Sequence, residues 1–400
     1  MKKKAMLIIC LIVYLIIVFT TEIFYREPLY KISVEYIEKI KQQGFPFYFN
    51  LFWSKIFFYG LIFIGTLIAL LYYPINIFFC NITIQISLIF TMCLLKSLYS
   101  SERPFWDIYS EKGKMEKLPN PTECDGEFGN PSGHALISTY LLVLWYLFTN
   151  SKFYNRIEGV KKTVIKYITL FLSIICILCV IYSRINRQIH SFNQILFGVL
   201  LGIAVFFTFC YILEFDKISP KDLITNLDNH KFILIPMMIA LFILSVVLGL
   251  TRHNPKEDEY ALILDNYCGY VRDQLFGKNT AFHSALIFII IGNYIGLLFL
   301  KYQISKNYND QADIFYNWNQ GSKLNTLKIA LFFTILPSLL PTIVMFIPFK
   351  LYILKFVASI VLYFLFGFCN LGLCFYYGCI LFNGNKIDLM IAPEEGLDKV

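Results

Sequence analysis

The chain has 400 residues, 57% of them hydrophobic and only 16% charged, where soluble chains usually carry about a quarter charged residues. A soluble globular domain is excluded, because it would expose far too much apolar surface. The net charge of +8 sits mostly at the ends of apolar segments. There is no basic block beyond Lys2-Lys3-Lys4 and no basic–aromatic face, so nucleic-acid binding is excluded too.

Ten apolar stretches approach or exceed the ~18 residues that suggest a bilayer span. They are Ala5–Thr21, Ile56–Tyr73, Ile77–Leu98, Ser132–Phe148, Val164–Tyr182, Ile189–Leu213, Phe232–Leu250, Phe282–Leu300, Leu327–Phe346 and Leu351–Phe382. The last is long enough to be read as one span or two. The predicted fold is an all-α integral membrane protein of about ten transmembrane helices, a six-helix core with a C-terminal helical extension. Residues 1–25 read as a signal anchor or signal peptide, 26–215 as the catalytic helical core and 216–400 as the transmembrane extension, all in one bundle.

The first span follows three lysines and no small-x-small cleavage site follows it, which favours an uncleaved anchor with the lysines in the cytosol. Alternating the spans then places the loop bearing Lys152, Arg156, Lys161 and Lys162 in the cytosol, in keeping with the positive-inside bias. The loops Ser100–Pro131, Ser183–Gln188 and Thr251–Thr280 fall on the opposite face. Between the first two spans, Leu29–Gln42 reads as a short amphipathic helix lying in the interface and covering the site-bearing face. Leu29, Ile32, Tyr36, Ile37 and Ile40 form its apolar side.

Polar groups gather in three clusters where spans begin or end. Lys96 closes the third span, with Arg103-Pro104 just beyond. Pro131-Ser132-Gly133-His134 opens the fourth. Ser183-Arg184 closes the fifth and His190 opens the sixth. All three clusters land on one face. Charges beside an apolar slab are expensive and usually functional, and three cations repel unless an anion lies among them. A phosphoryl group suits Lys96, Arg103 and Arg184, since Arg grips two oxygens at once. Ser132 and Gly133 sit at a helix start, where free N–H groups favour an anion. Two imidazoles supply a nucleophile and a proton shuttle. Without an Asp/Glu cluster suited to two metals, no metal and no cofactor is predicted. His230, His253 and His283 read as satisfied polar groups. The eleven cysteines form no metal pattern; Cys176 and Cys179 read as packing residues. Cys124 and Cys268 lie in loops on the site face, either as a disulfide or as two free thiols.

Lys96-x6-Arg103-Pro104, then Pro131-Ser132-Gly133-His134, then Ser183-Arg184-x5-His190 resembles the three-part signature of the type 2 phosphatidic acid phosphatase superfamily. The blocks cover about a quarter of the chain. The resemblance implies His190 as nucleophile, His134 as acid/base, and Lys96, Arg103, Ser132, Gly133 and Arg184 as phosphate holders. Gln194 stands where that superfamily commonly has an Asp bonded to the nucleophile. It can still orient the ring through its carbonyl. The glucose-6-phosphatases are similar in this Gln, in the aromatic pair Phe105-Trp106 after Arg-Pro, and in Gly198 and Gly202 after the Gln. His190, Gln194, Gly198 and Gly202 repeat every four residues, so this helix face should also pack closely on a neighbour.

The resemblance implies a multi-pass protein of the endoplasmic-reticulum membrane with a luminal site. Its substrate would be a small phosphate ester, a sugar phosphate such as glucose 6-phosphate, with functional coupling to a sugar-phosphate transporter. The extra first span and the C-terminus Leu397-Asp398-Lys399-Val400, without a dilysine signal, depart from that pattern. The alternatives are a lipid phosphate or polyprenyl pyrophosphate substrate, or a non-hydrolytic protein that keeps the site for binding. Two intact imidazoles argue against the last, because binding alone needs only the cations.

Overall fold

The computed structural model describes residues 2–41, 47–72, 75–111, 125–155, 157, 159–268, 276–308, 328, 337, 339–344, 346–347, 351–374 and 377. Every regular element among them is helical, as expected where no water is at hand to satisfy free backbone groups. In chain order they are α1 (Lys2–Lys41), α2 (Phe47–Leu51), α3 (Phe57–Tyr72), α4 (Ile75–Tyr99), α5 (Pro104–Glu111), α6 (Gly133–Ser138), α7 (Tyr140–Thr149) and α8 (Lys152–Asn155). There follow α9 (Gly159–Asn186), α10 (Phe192–Phe207), α11 (Pro220–Thr251), α12 (Glu257–Cys268), α13 (Phe276–Ser284), α14 (Ile287–Tyr308) and α15 (Tyr352–Phe368). Single π-helical segments adjoin α2, α10 and α15, at Phe52–Ile56, Thr208–Ile212 and Cys369–Cys374.

Among the described residues, 8 helices are long and apolar enough to cross a membrane. They answer the predicted stretches except two. Ser132–Phe148 is the shorter apolar run Gly133–Thr149, broken at Thr139 between α6 and α7. Leu327–Phe346 falls largely outside the described residues, as do the end of Leu351–Phe382, Cys124 and the side chain of Cys268.

The N-terminal region corrects the reading of Leu29–Gln42 as a separate interfacial helix. Helix α1 runs unbroken for 40 residues with Pro28 inside it, roughly 60 Å at the helical rise, twice a hydrocarbon core. Its second half buries Ser33 and Ile37, while Ile32 and Tyr36 of the expected apolar side remain exposed. The helix thus continues through a residue that usually ends or kinks one.

The chain divides into two compact units. One comprises Met1–Gly65, Ser87–Asp216 and Leu241–Ser284; the other Thr66–Ile86, Lys217–Ala240 and Ala285–Val400. In the second, α14 and α15 approach through glycines: Gly292 lies against the Phe364 carbonyl and Gly367 against that of Ile289, the small-residue packing that stands in for hydrophobic drive inside lipid.

In the first unit α10 is central, packed against α1 and α6. A side chain on Gly198 would come within 2.7 Å of the Ser132 carbonyl, and one on Gly202 would strike Thr139, so the four-residue repeat does serve close packing. One end of this unit is basic and polar: Lys4 pairs with Glu214 at 3.4 Å, Tyr146 donates to Asp216 at 3.0 Å, and Lys162 donates to Asn155 at 3.1 Å. The start of α10, with His190 before it, lies at the other end, about 30 Å away by the rise of Phe192–Ile212.

Candidate active site

The three clusters meet in the first unit. Arg103, Lys96, Arg184 and His190 are all buried. Arg103 staples two segments together. Its Nε donates to the Glu127 carbonyl at 2.5 Å and its Nη2 to that of Phe128 at 3.3 Å, while Nη1 donates to the Ile189 carbonyl at 3.2 Å. The same Nη1 lies 3.3 Å from His190 Nε2.

His190 is gripped from the opposite side by Gln194, whose Oε1 lies 3.2 Å from Nδ1. That oxygen also accepts from the Ser191 backbone at 3.2 Å, and Gln194 Nε2 donates to the Glu102 carbonyl at 2.7 Å. Gly129 makes this arrangement possible, since a Cβ there would come within 2.6 Å of the Glu102 oxygen and 2.5 Å of Gln194 Nε2. Burial first, then the charges of Arg103, Arg184 and Lys96, hold the basicity of His190 well below the ordinary histidine value.

His134 is half-buried at the start of α6. Its Nε2 lies 3.0 Å from the Ser54 carbonyl. A carbonyl only accepts, so Nε2 carries the hydrogen of the neutral ring. Ser54 belongs to the π segment Phe52–Ile56, a device that recurs at functional sites, and its hydroxyl also accepts from Arg187. Ser132 caps α6: its Oγ accepts from the Ala135 N–H at 3.4 Å, which leaves the hydroxyl hydrogen free to donate. Gly133 has no room for a side chain against Met92.

Two carboxylates unforeseen in the sequence lie among the cations. Asp125 Oδ2 is 2.9 Å from Arg103 Nη2 and 3.8 Å from Arg184 Nη2, bridging the two guanidinium groups. Glu127 pairs with both Lys96 and His283. Burial alone would push its carboxyl up, but Lys96 and His283 outweigh that and hold it well below the usual carboxylate range. His283 thus joins the site through Glu127, while exposed His230 and His253 bond locally to the Asn226 carbonyl and Glu257. Lys96, Arg103, Arg184 and Arg187 are all buried; Asp125 bridges Arg103 and Arg184 and Glu127 pairs with Lys96, while Arg187 donates to Ser54. The buried Nε of Arg184 finds no acceptor among the described residues.

Aromatic packing fixes the segment that carries these acids. Phe276 at the head of α13 packs on Phe128 and Trp106, with ring centroids 5.7 and 5.4 Å apart, and its N–H donates to the Gly126 carbonyl at 2.6 Å. The signals for Asp125, Glu127, Arg187 and His283 were weak: each is a charged or polar residue near a span end on the site face, without a motif. Ser54 contributes a backbone oxygen that any residue would have.

The set Lys96, Arg103, Ser132-Gly133-His134, Arg184 and His190 lies within a match to a known family. Residues 74–218 match the PAP2 superfamily. Ser54 and His283 are contributed from outside those residues. Over 134 residues the chain is 31% identical to glucose-6-phosphatase catalytic subunit 1 of Canis lupus familiaris, and over 138 residues 30% identical to that of Felis catus. Each match covers 32% of this chain and 38% of the relative's length. No solved structure matches the chain.

Proposed function

We propose that the protein is a membrane phosphatase that hydrolyses a phosphate monoester through a phosphohistidine on His190. The observation that carries this reading is the placement of His190 Nε2 beside Arg103, with Nδ1 bonded to Gln194. The lone pair of a neutral imidazole then lies among the buried cations Lys96, Arg103 and Arg184, groups suited to grip a phosphate dianion. The orphaned Nε–H of Arg184 supports the same reading, because a buried donor without an acceptor is costly until a ligand supplies one.

In this mechanism Nε2 attacks phosphorus as the bond to the leaving oxygen breaks, and His134 gives that oxygen a proton. A water then attacks the phosphorus, the P–N bond breaks, and His134 takes the water's proton. Lys96, Arg103, Arg184, Ser132 and the Gly133 N–H hold the equatorial oxygens, where charge accumulates.

The substrate reading is a soluble sugar phosphate, glucose 6-phosphate after the names of the relatives, met from the lumen of the endoplasmic reticulum. A transporter of the sugar phosphate would then feed the site. A polar cavity of about 370 Å³ is lined by His253, Asn254, Glu257, Asp258 and Lys278, and Asn254 ties it to the segment before Arg103 by donating to the Ser100 carbonyl at 3.0 Å and to Glu102 at 3.2 Å. Lysines at the end opposite His190 support a luminal site under the positive-inside bias. The test is turnover of glucose 6-phosphate, phosphatidate and an isoprenyl diphosphate by purified protein in detergent. The expected result is preference for the sugar phosphate and an acid-labile phosphoenzyme absent from His190→Ala. Preference for either lipid would move the substrate class, and a phosphoenzyme persisting in His190→Ala would remove the mechanism.

A further inference from the structure

The site also leans on a helix that lies outside the residues matched to the PAP2 superfamily. Tyr14, Glu22, Arg26, Tyr30, Ser33 and Ile37 recur at three- and four-residue multiples and so share one face of α1. That face meets the machinery repeatedly. Tyr14 donates to the Leu200 carbonyl at 2.9 Å, Tyr30 to Asp107 at 2.7 Å, and Ser33 Oγ accepts from the Phe192 N–H at 2.8 Å, two residues after His190.

Glu22 is the unusual member, a carboxylate with 0% exposure on an apolar helix. Such a charge persists only when paired and hydrogen-bonded. Arg26 takes both its oxygens, at 2.7 and 2.5 Å, and stands 4.5 Å from the Tyr99 ring centre at the end of α4. The remaining bond goes to the active-site segment: Asn130 Nδ2 donates to Glu22 Oε1 at 3.0 Å. Asn130 is fully buried, and its Oδ1 has no partner among the described residues. The amide is held from its nitrogen side, by Glu22. Ser132 follows two residues later and donates its N–H to the Gln194 carbonyl at 2.9 Å, so the setting of Asn130 passes to both imidazole-bearing segments.

We infer that Glu22 is a positioning residue for Asn130–His134, supplied by an N-terminal helix outside the matched residues. The kinetic part of its test rests on the phosphatase reading above; the exchange part does not.

The full chain in detergent is compared as wild type, Glu22→Ala, Glu22→Gln, Asn130→Asp and the double variant Glu22→Gln/Asn130→Asp. With p-nitrophenyl phosphate, Glu22→Ala should lower kcat about tenfold or more, the scale on which misplacing a reacting group is felt. Glu22→Gln still accepts from Asn130 and should recover most of that loss. Asn130→Asp sets two carboxylates face to face and should be as poor as Glu22→Ala. Adding Glu22→Gln then restores a donor–acceptor pair and should rescue it, a result that needs no folded Glu22→Ala. Hydrogen–deuterium exchange over residues 127–138 should quicken in Glu22→Ala and Asn130→Asp and return in the double variant. Equal loss in Glu22→Gln and Glu22→Ala, or a double variant no better than Asn130→Asp, overturns the inference. A wild type without phosphatase activity overturns the functional reading instead, and the exchange pattern alone then decides the role of Glu22.

Discussion

The side-chain amide of Gln194 fixes the tautomer of His190. Its Nε2 must face the Glu102 carbonyl, 2.7 Å away, because that oxygen can only accept. Its Oε1 therefore faces His190 Nδ1 at 3.2 Å, and the ring hydrogen sits on Nδ1. The lone pair is left on Nε2, on the side of Arg103. A Gln does here what a carboxylate could not, since an acid would set an oxygen against the Glu102 carbonyl.

Gln194→Leu removes the acceptor and frees the ring to turn. We expect kcat to fall about 10- to 100-fold, as when groups behind a reactive histidine are lost, with phosphate inhibition largely kept. Gln194→Glu should also lose activity, although a carboxylate would better stabilise an imidazolium. A gain in kcat for that variant would show that the bond to Glu102 is unimportant.

Asp125 occupies ground between Arg103 and Arg184 that a phosphate would claim. Like charges oppose each other there, so Asp125→Asn should strengthen inhibition by inorganic phosphate and vanadate about two- to fivefold, the scale of a partly exposed ion pair. Titrating vanadate against hydrolysis measures this. Weaker inhibition would mean that Asp125 steadies the guanidinium groups even when the site is filled.

Much of this site was legible because burying charge beside lipid is expensive. Lys96, Arg103 and Arg184 stood out against apolar spans for that reason, as did the histidines that open two of them. The repeat His190, Gln194, Gly198, Gly202 was legible as a helix face. The acids were not: Asp125 and Glu127 lie in a loop, where no periodicity marks which side chains turn inward. Ser54 acts through its carbonyl, which no sequence displays. Glu22 and Ser33 were obscured by Pro28, which ordinarily separates two elements, whereas α1 continues through it with its buried face bonded on both sides.

The contact of Gly198 with the Ser132 carbonyl, where a Cβ would sit at 2.7 Å, couples helix packing to the site. Gly198→Ala must push α10 from α6 or displace Ser132. Both thermal stability in detergent and kcat should fall, with stability lost by about 1–3 kcal/mol as in other overpacked cores. Gly60, with open space around it, is the matched control, and Gly60→Ala should leave both unchanged.

His134 should reveal its role through the leaving group. If it protonates the departing oxygen, His134→Ala should slow phosphoenzyme formation sharply with alkyl phosphates, whose alkoxides need a proton. With p-nitrophenyl phosphate the loss should be much smaller, because the phenolate leaves unaided. Rapid-quench trapping of the phosphoenzyme with both substrates makes the comparison. Equal losses would assign His134 to holding Ser54 and the adjoining π segment rather than to proton transfer.

The acid limb of the pH profile tests the electrostatics around His190. In the proposed mechanism the reactive form is the neutral imidazole, and burial together with Arg103, Arg184 and Lys96 depresses its basicity. A depressed value means that the ring stays neutral to lower pH than a free histidine would. The acid limb of kcat/KM should therefore fall below about pH 6.5, the unperturbed histidine value. Stability follows the same sign: below about pH 6.5 the unfolded chain gains a proton that the folded site resists, so stability is lost as pH falls from there toward the folded value. Glu127 adds a second loss at more acid pH, because its carboxyl is held down by Lys96 and His283. Its contribution is complete above about pH 4.5 and declines as pH falls through that value. An acid limb at or above the free-histidine value would mean that the cations do not press on the ring, and that His190 is not the group whose ionisation limits the reaction.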